Sequence, residues 1–347
     1  MINNSDVNIT PMMLKMIAEV DAFKGSWSGF SGEISPVQLK TLKRVATIES
    51  VGSSNRIEGN RLSDEEINTL FNHIKRTSFV DRDEAEVAGY RDLLNIIFES
   101  YEDIPLSENY IKQLHGILLH YLEQAEYFRG EYKTDSNKVA LFKNGKVVAT
   151  VFETATPFDT PRLMTELVDW TNKNLADGYF HPLLVIGIFL LHFLAIHPFT
   201  DGNGRISRAL TVLLMLRCGY HYMPYSSMES IIEASKENYY AAIRSSQRNI
   251  WTGNVNYEPW LTFFLTGVVK QKRHLEEKIK NLDSGNRLGL LADRVLKLFD
   301  VKDSWTIGEM NEELQVNKET LKKTVQLLVK ENQITKHGLT KGAWYSK

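Results

Sequence analysis

The chain has 347 residues, with 41 Lys and Arg against 43 Asp and Glu, a length that suits about two domains and a balance that leaves no global field to draw nucleic acid or an anionic membrane. Its one cysteine excludes an internal disulfide and a thiolate metal cluster, and none of its nine histidines stands in a zinc-binding spacing. The N-terminus carries neither the basic nor the apolar region of a leader, and the longest apolar run, residues 183–196, is too short for a bilayer. The expectation is a cytoplasmic protein without membrane contact.

Residues 35–58 read as a helix. Ser35 is the N-cap, Pro36 takes the first helical position, Leu39, Leu42, Val45, Ala46 and Ile48 form an apolar stripe, and Gly59-Asn60 stop it. Gly52-Ser53-Ser54 predicts an interruption or kink. Ser63 and Glu66 form a capping box for a short helix to about His73, and amphipathic helices follow over 84–99 and 107–122. After Phe128 the character changes: residues 139–142, the turn Asn144-Gly145 and residues 147–152 predict a β-hairpin. Residues 161–174 form a further helix with Leu163, Leu167, Val168 and Trp170 on its buried side. Residues 183–196 are apolar nearly all round, hence central to a bundle, and His192 within them reads as a hydrogen-bonded core histidine.

The chemistry concentrates in residues 197–208, His-Pro-Phe-Thr-Asp-Gly-Asn-Gly-Arg-Ile-Ser-Arg. Pro198 ends the apolar run, Gly202-Asn203-Gly204 make a turn poor in side chains, and an apolar helix starts at Ile206. The free N–H groups of a helix N-terminus bind anions, and Arg205 and Arg208, three apart on one face, add two positive charges, which suits a polyphosphate. Asp201 offers a hard oxygen for a divalent cation, and His197 is the nearby group able to accept a proton near neutral pH.

This string resembles the signature of the Fic family (filamentation induced by cAMP), H-P-F-x-[DE]-G-N-[GK]-R-x-x-R. His197, Pro198, Phe199, Asp201, Gly202, Asn203, Gly204, Arg205 and Arg208 meet its fixed positions. The resemblance implies a mainly α fold, a Fic-type helical bundle with a β-hairpin flap. It implies transfer of AMP from ATP to a Ser, Thr or Tyr hydroxyl of a target protein, itself included. His197 would be the base, residues Asp201 to Arg208 with Ile206 and Ser207 would bind ATP, and Asp201 would hold Mg²⁺. The flap, at Val151, Phe152, Glu153 and Thr154, would align the target by strand addition. Ser54-Asn-Arg-Ile-Glu58-Gly59 resembles the [ST]-x-x-x-E-[GN] inhibitory motif of some Fic proteins, which implies that Glu58 pairs with Arg208 in the space the γ-phosphate needs. Residues 237–243 resemble the downstream Fic helix whose tyrosine pair walls the nucleobase pocket. Tyr239 and Tyr240 match that pair, and Gln247 stands where some relatives have an amide for the base, more often Asn.

Residues 260–269 close the catalytic part, a charged helix spans 270–280, and the polar junction Asp283-Ser284-Gly285-Asn286 marks a boundary. The expected domains are an N-terminal helical region with the inhibitory helix (1–105), a Fic catalytic domain (106–282) and a C-terminal domain (287–347). The last reads helix, short strand, helix, helix, hairpin, with Asn317 as an N-cap, and resembles a winged helix-turn-helix. Lys318, Lys322, Lys323, Lys330, Lys336 and Lys341 stand against Glu319 and Glu331, a modest excess that favours dimerisation or target docking over DNA contact. Two alternatives stay open: a DNA-binding regulator with a nucleotide-sensing Fic part, and a Fic enzyme that transfers another nucleotide or removes AMP.

Overall fold

The computed structural model describes residues 2–73, 79, 81–143, 146–330, 333–338 and 343–347, with backbone alone for the strands within 138–153 and for 282–290. The chain divides into two compact units, Met1–His274 and Leu275–Lys347. In the first, α1 (Pro11–Glu33), α2 (Pro36–Ile57), α3 (Asp64–His73), α4 (Arg82–Ser100) and α5 (Glu108–Leu118) precede β1 (Lys138–Lys143) and β2 (Lys146–Glu153). Then come α6 (Thr160–Asp177), α7 (Pro182–Ile196), α8 (Asn203–Arg217), α9 (Met228–Ala234) and α10 (Lys236–Gln247), and α11 (Glu258–Leu298) begins here and ends in the second unit.

A helix with no polar face can only be stable when surrounded, and α7 is buried at every position from Leu183 to Ile196. Helices α6, α8 and α10 pack on it, and Trp260 of α11 donates its indole N–H to the Gly187 carbonyl at 2.6 Å. His192 is a core residue, within 2.8 Å of the Tyr257 hydroxyl, and burial pushes its pKa down to about 3. Helix α2 lies along α9 and also packs on α4 and α8. The strands β1 and β2 pair antiparallel from Lys138 opposite Glu153 to Lys143 opposite Lys146, with two register shifts; the expected turn, 144–145, lies outside the described residues.

Three local expectations change. Helix α2 runs unbroken through Gly52-Ser53-Ser54: a Cβ at Gly52 would collide with the side chains of Asp64 and Arg56, so the glycine admits a neighbouring ion pair and does not end the helix. Helix α8 begins at Asn203 instead of Ile206, capped by Gly202 at φ 79°, so the glycine turn is the first turn of the helix. Helix α11 continues through 283–286, where a polar junction was expected.

The second unit has its own core, in which Val295, Leu298, Met310, Leu321, Val325 and Tyr345 meet. The end of α11 is followed by β3 (Ser304–Thr306), α12 (Ile307–Leu314), α13 (Lys318–Lys330), β4 (Thr335–His337) and β5 (Trp344–Ser346), the strands forming an antiparallel sheet in the order β3-β5-β4. Thr306 and Glu309 cap α12 reciprocally, and the Asn317 side chain accepts the N–H groups of Glu319 and Thr320 at the start of α13. Among the described residues no helix is long and apolar enough to cross a membrane.

Candidate active site

The centre of the site is the turn between α7 and α8. His197 ends α7 in the left-handed region, φ 53° and ψ 59°, while its N–H still bonds the Phe193 carbonyl at 2.9 Å. Its Nδ1 lies 3.2 Å from the Leu194 carbonyl. A carbonyl can only accept, so Nδ1 carries the proton and Nε2 keeps a lone pair. Burial lowers the His197 pKa to about 4, against the opposing pull of the Leu194 carbonyl, so the ring is neutral at pH 7. Asn203 braces the turn from the other side, donating to the Phe199 carbonyl at 2.7 Å and accepting the Phe199 N–H at 2.9 Å.

The two motif arginines are both buried, and each meets a different helix. Arg208 donates from Nε to Ser54 Oγ at 2.8 Å and from Nη2 to the Ser54 carbonyl at 2.9 Å and Glu58 Oε1 at 2.8 Å. Burial alone would raise the Glu58 pKa, but Arg208, with Arg205 and His197 behind it, holds the carboxyl below its usual range. Glu58 caps the C-terminus of α2, where a negative charge is disfavoured, and its carboxylate reaches across to the first turn of α8. A Cβ at Gly204 would collide with Glu58 Oε1. The carboxylate therefore stands against the N–H end of α8, in the place an anion would take. About a third of its side chain, 34%, faces solvent.

Arg205 sits in an ion network instead. Its Nη1 lies 3.2 Å from Glu86 Oε1 of α4, and its Nη2 lies 3.4 Å from Asp201 Oδ1. Arg82 joins the same two carboxylates, Nε at 3.0 Å from Glu86 and Nη2 at 3.3 Å from Asp201. Arg205 Nε is buried with no hydrogen-bond partner among the described residues, a donor left over for an incoming oxygen. Asp201 also accepts the Gly202 N–H at 2.6 Å. No group of three or more His, Cys, Asp or Glu able to hold a metal converges among the described residues. Asp201 is one carboxylate, its side chain 40% exposed, and among the described residues its Oδ2 meets a long pair to the exposed Arg82. A single hard oxygen of this kind fits a Mg²⁺ that arrives on phosphate oxygens better than one held in a protein cage.

The remaining expected residues fall in several places. Ile206 is core, and the Ser207 hydroxyl bonds back to the Gly204 carbonyl at 2.8 Å. Tyr239 is buried near Arg208, its pKa pushed up to about 12 by burial, and meets Tyr240 edge to face with centroids 5.1 Å apart. Gln247 is buried and donates to the Leu191 carbonyl at 3.1 Å, so its amide N–H is engaged by the α7 backbone. Gly59 follows Glu58 at φ 102°. Val151, Phe152 and Glu153 lie on β2 and Thr154 just beyond it.

Sequence reasoning missed His115, Lys133, Asn137, Glu86 and Arg82. His115 of α5 stacks on Phe199, centroids 3.7 Å apart at 7°. Its Nε2 donates to the Asp201 carbonyl at 2.9 Å, its Nδ1 accepts the Gly130 N–H at 2.9 Å, and burial lowers its pKa to about 4. Lys133 is buried, its pKa lowered by burial to about 8. These residues are far from the motif in sequence and carry no motif of their own.

The profile of the Fic/DOC family matches residues 105–215, the span from α5 through the hairpin and α7 to α8. The match takes in the whole turn from His197 to Arg208. The chain is 26% identical over 208 residues to a protein named protein adenylyltransferase Fic from Drosophila willistoni, covering 59% of this chain and 39% of that protein. To the protein of the same name from Aedes aegypti it is 41% identical over 64 residues, 18% of this chain and 13% of that one. The chain thus spans well under half the length of these curated relatives. Two solved structures share the fold: a Fic family protein from Desulfovibrio desulfuricans G20, with TM-score 0.64 and 20% identity over 98% of this chain and 97% of that one, and a Fic domain containing signaling protein from Bacteroides thetaiotaomicron VPI-5482, with TM-score 0.61 and 24% identity over 76% of this chain and 97% of that one. Like these structures the chain is mainly helical, and its two-stranded hairpin fits a flap.

Proposed function

We propose that this Fic domain protein is a protein adenylyltransferase whose own Glu58 holds it off. The observation that carries the reading is the Glu58 carboxylate paired with Arg208 at 2.8 Å against the first turn of α8, because phosphate-sized negative charge needs that same place.

With Glu58 withdrawn, Mg-ATP lays its phosphates along the first turn of α8, where Arg208 and the spare Arg205 Nε supply donors. Asp201 is the residue that would face the Mg²⁺, whose charge offsets that of the phosphates. The target is a protein, this chain included, whose backbone pairs with the hairpin edge. Neutral His197 takes the proton of a Ser, Thr or Tyr hydroxyl on Nε2. The freed oxygen bonds to the α-phosphorus as the bond to the β-phosphate bridging oxygen breaks, and pyrophosphate leaves. Tyr239 and Tyr240 are assigned to the base pocket. The C-terminal unit is assigned to target docking or dimerisation as a winged-helix module.

Mass spectrometry after incubation with Mg-ATP tests this directly. AMP should appear on the Glu58→Gly protein, or on an added target, much faster than on wild type, and His197→Ala should abolish it while retaining ATP binding. Equal rates for Glu58→Gly and wild type across ATP and Mg²⁺ concentrations would refute the inhibitory role. A carboxylate beside His197 could also orient water. Loss of AMP from a modified protein with wild type but not with Glu58→Gly would identify that second reaction.

A further inference from the structure

A helix leaves its last carbonyls without partners, and a turn that follows adds more. From Phe193 to Phe199 every carbonyl has a donor. The first two are met by His197 itself, through its N–H and its ring. The next five draw on the two segments that flank the hairpin. The Ala155 N–H, just after β2, lies 3.4 Å from the Ala195 carbonyl. Before β1, Lys133 Nζ donates to the Ile196 carbonyl at 2.9 Å and its N–H to the Pro198 carbonyl at 2.8 Å. Asn137 Nδ2 donates to the carbonyls of His197 at 3.3 Å and Phe199 at 2.8 Å, the latter shared with Asn203.

The same groups tie the two feet of the hairpin together. Thr154 Oγ1 lies 2.8 Å from the Asn137 carbonyl and 2.6 Å from Asn137 Oδ1. Lys133 Nζ reaches Asn137 Oδ1 at 2.8 Å and Thr154 Oγ1 at 3.0 Å, so with Ile196 its three N–H donors have three acceptors. At the centre, His197 holds a left-handed conformation that side chains other than glycine adopt only when their surroundings impose it.

We propose that Lys133, Asn137 and Thr154 are positioning residues that lock the hairpin and the His197 turn into one body, and so set the distance from Nε2 to a hydroxyl on a hairpin-bound target. This rests on the adenylyltransferase reading above. A peptide added to the hairpin edge takes its register from the hairpin backbone, and the hairpin takes its position from the bonds that hold the base. None of the three residues needs to touch ATP.

The test uses the full chain carrying Glu58→Gly. Asn137→Ala should lower kcat for AMP transfer roughly ten- to hundredfold, the range expected for a misplaced reacting pair, while calorimetric ATP affinity stays unchanged. Thr154→Ala should act in the same direction, and Thr154→Ser, which keeps the hydroxyl, should recover it. A second readout needs no turnover: ¹⁵N NMR of the His197 ring should show the Nδ1–H tautomer in the parent and its loss in Asn137→Ala. The proposal is overturned if Asn137→Ala keeps both the tautomer and the transfer rate. It is also overturned if ATP affinity falls in step with the rate, or if Thr154→Ser behaves as Thr154→Ala. If Glu58→Gly transfers no AMP yet the tautomer still depends on Asn137, the positioning role stands and the adenylyltransferase reading falls.

Discussion

Arg205 and Arg208 lie one helical turn apart on α8, both are almost wholly buried, and both pair with a carboxylate, yet they belong to two different regions. Around Arg205 the partners are interlocked: Glu86 and Asp201 each meet both Arg205 and Arg82, so each charge of the network has two partners. Around Arg208 the carboxylate comes from the residue that caps the end of a different helix, keeps a third of its side chain open to solvent, and has Arg208 as its ion-pair partner. One arginine is built into the domain. The other is occupied by a carboxylate partly open to solvent. In the proposed reading, two positions that look equivalent in the motif are divided into a fixed donor and a gated one.

Stability separates them most strongly. Replacing Arg205 with Ala leaves the Glu86 carboxylate, 6% exposed, with the exposed Arg82 as its remaining ion-pair partner, so the loss should approach the roughly 3–5 kcal/mol of breaking a buried pair. Urea unfolding should show this whether or not Glu58 is present. A loss below about 1 kcal/mol, the scale of an exposed pair, would put Arg205 in the same class as Arg208 and dissolve the distinction.

Activity separates them in the opposite sense. Glu58→Gly removes a charge-assisted hydrogen bond of the kind worth about 1.5–3 kcal/mol, so AMP transfer should rise roughly ten- to hundredfold. Adding Arg208→Ala should cancel the gain, because the freed guanidinium is what orients the triphosphate. A double variant as active as Glu58→Gly would mean that Glu58 blocks by bulk alone.

What could be read in the sequence tracks how local each interaction is. The turn from His197 to Arg208 is contiguous, so its glycines, histidine and arginines could be singled out together. The Ser54 to Gly59 segment could be singled out because its six residues are contiguous. Glu86 and Arg82 were not, since an acid and a base on an amphipathic helix look the same whether they face water or a buried arginine on another helix. His115 was hidden in the same way among the apolar positions of α5. Helix α1 does carry a start signal, Thr10 accepting the Met13 N–H with Pro11 next, but its apolar residues do not keep one face. Gly52 misled because its missing side chain serves a contact with α3, and a breaker and a close approach share one letter.

The base gives a further test of the two regions, for both Glu58 and Asp201 raise its pKa while burial lowers it to about 4. The proposed transfer requires the neutral ring, so rate should be lost only as pH falls through that value. An ordinary imidazole, with pKa about 6.5, would lose roughly thirtyfold by pH 5; here the rate should hold to pH 5. Glu58→Gly removes one of the raising charges, so its acid limb should lie lower still. A limb near pH 6.5 in Glu58→Gly would show that burial does not govern the ring.

The smallest effect concerns how Glu58 is held in place. Arg56, one turn back on α2 from the Gly59 stop, grips Glu233 of α9 through two bonds, 2.7 and 3.1 Å, and reaches Asp64 of α3 at 2.9 Å. Lys236 caps the same helix end, its Nζ 2.6 Å from the Ile57 carbonyl. The Arg56 side chain is 24% exposed, and its acid partners more so, so solvent screens these pairs and each contributes about 0.5–1 kcal/mol. Arg56→Ala should therefore loosen the end of α2 without touching the site, reduce the time Glu58 spends on Arg208, and raise AMP transfer about two- to fivefold. The gain must vanish in the Glu58→Gly background, since a looser seat for an absent carboxylate changes nothing. A twofold or larger gain that survives in the double variant would mean that Arg56 acts on the nucleotide site itself, and that the hold on Glu58 does not pass through α9.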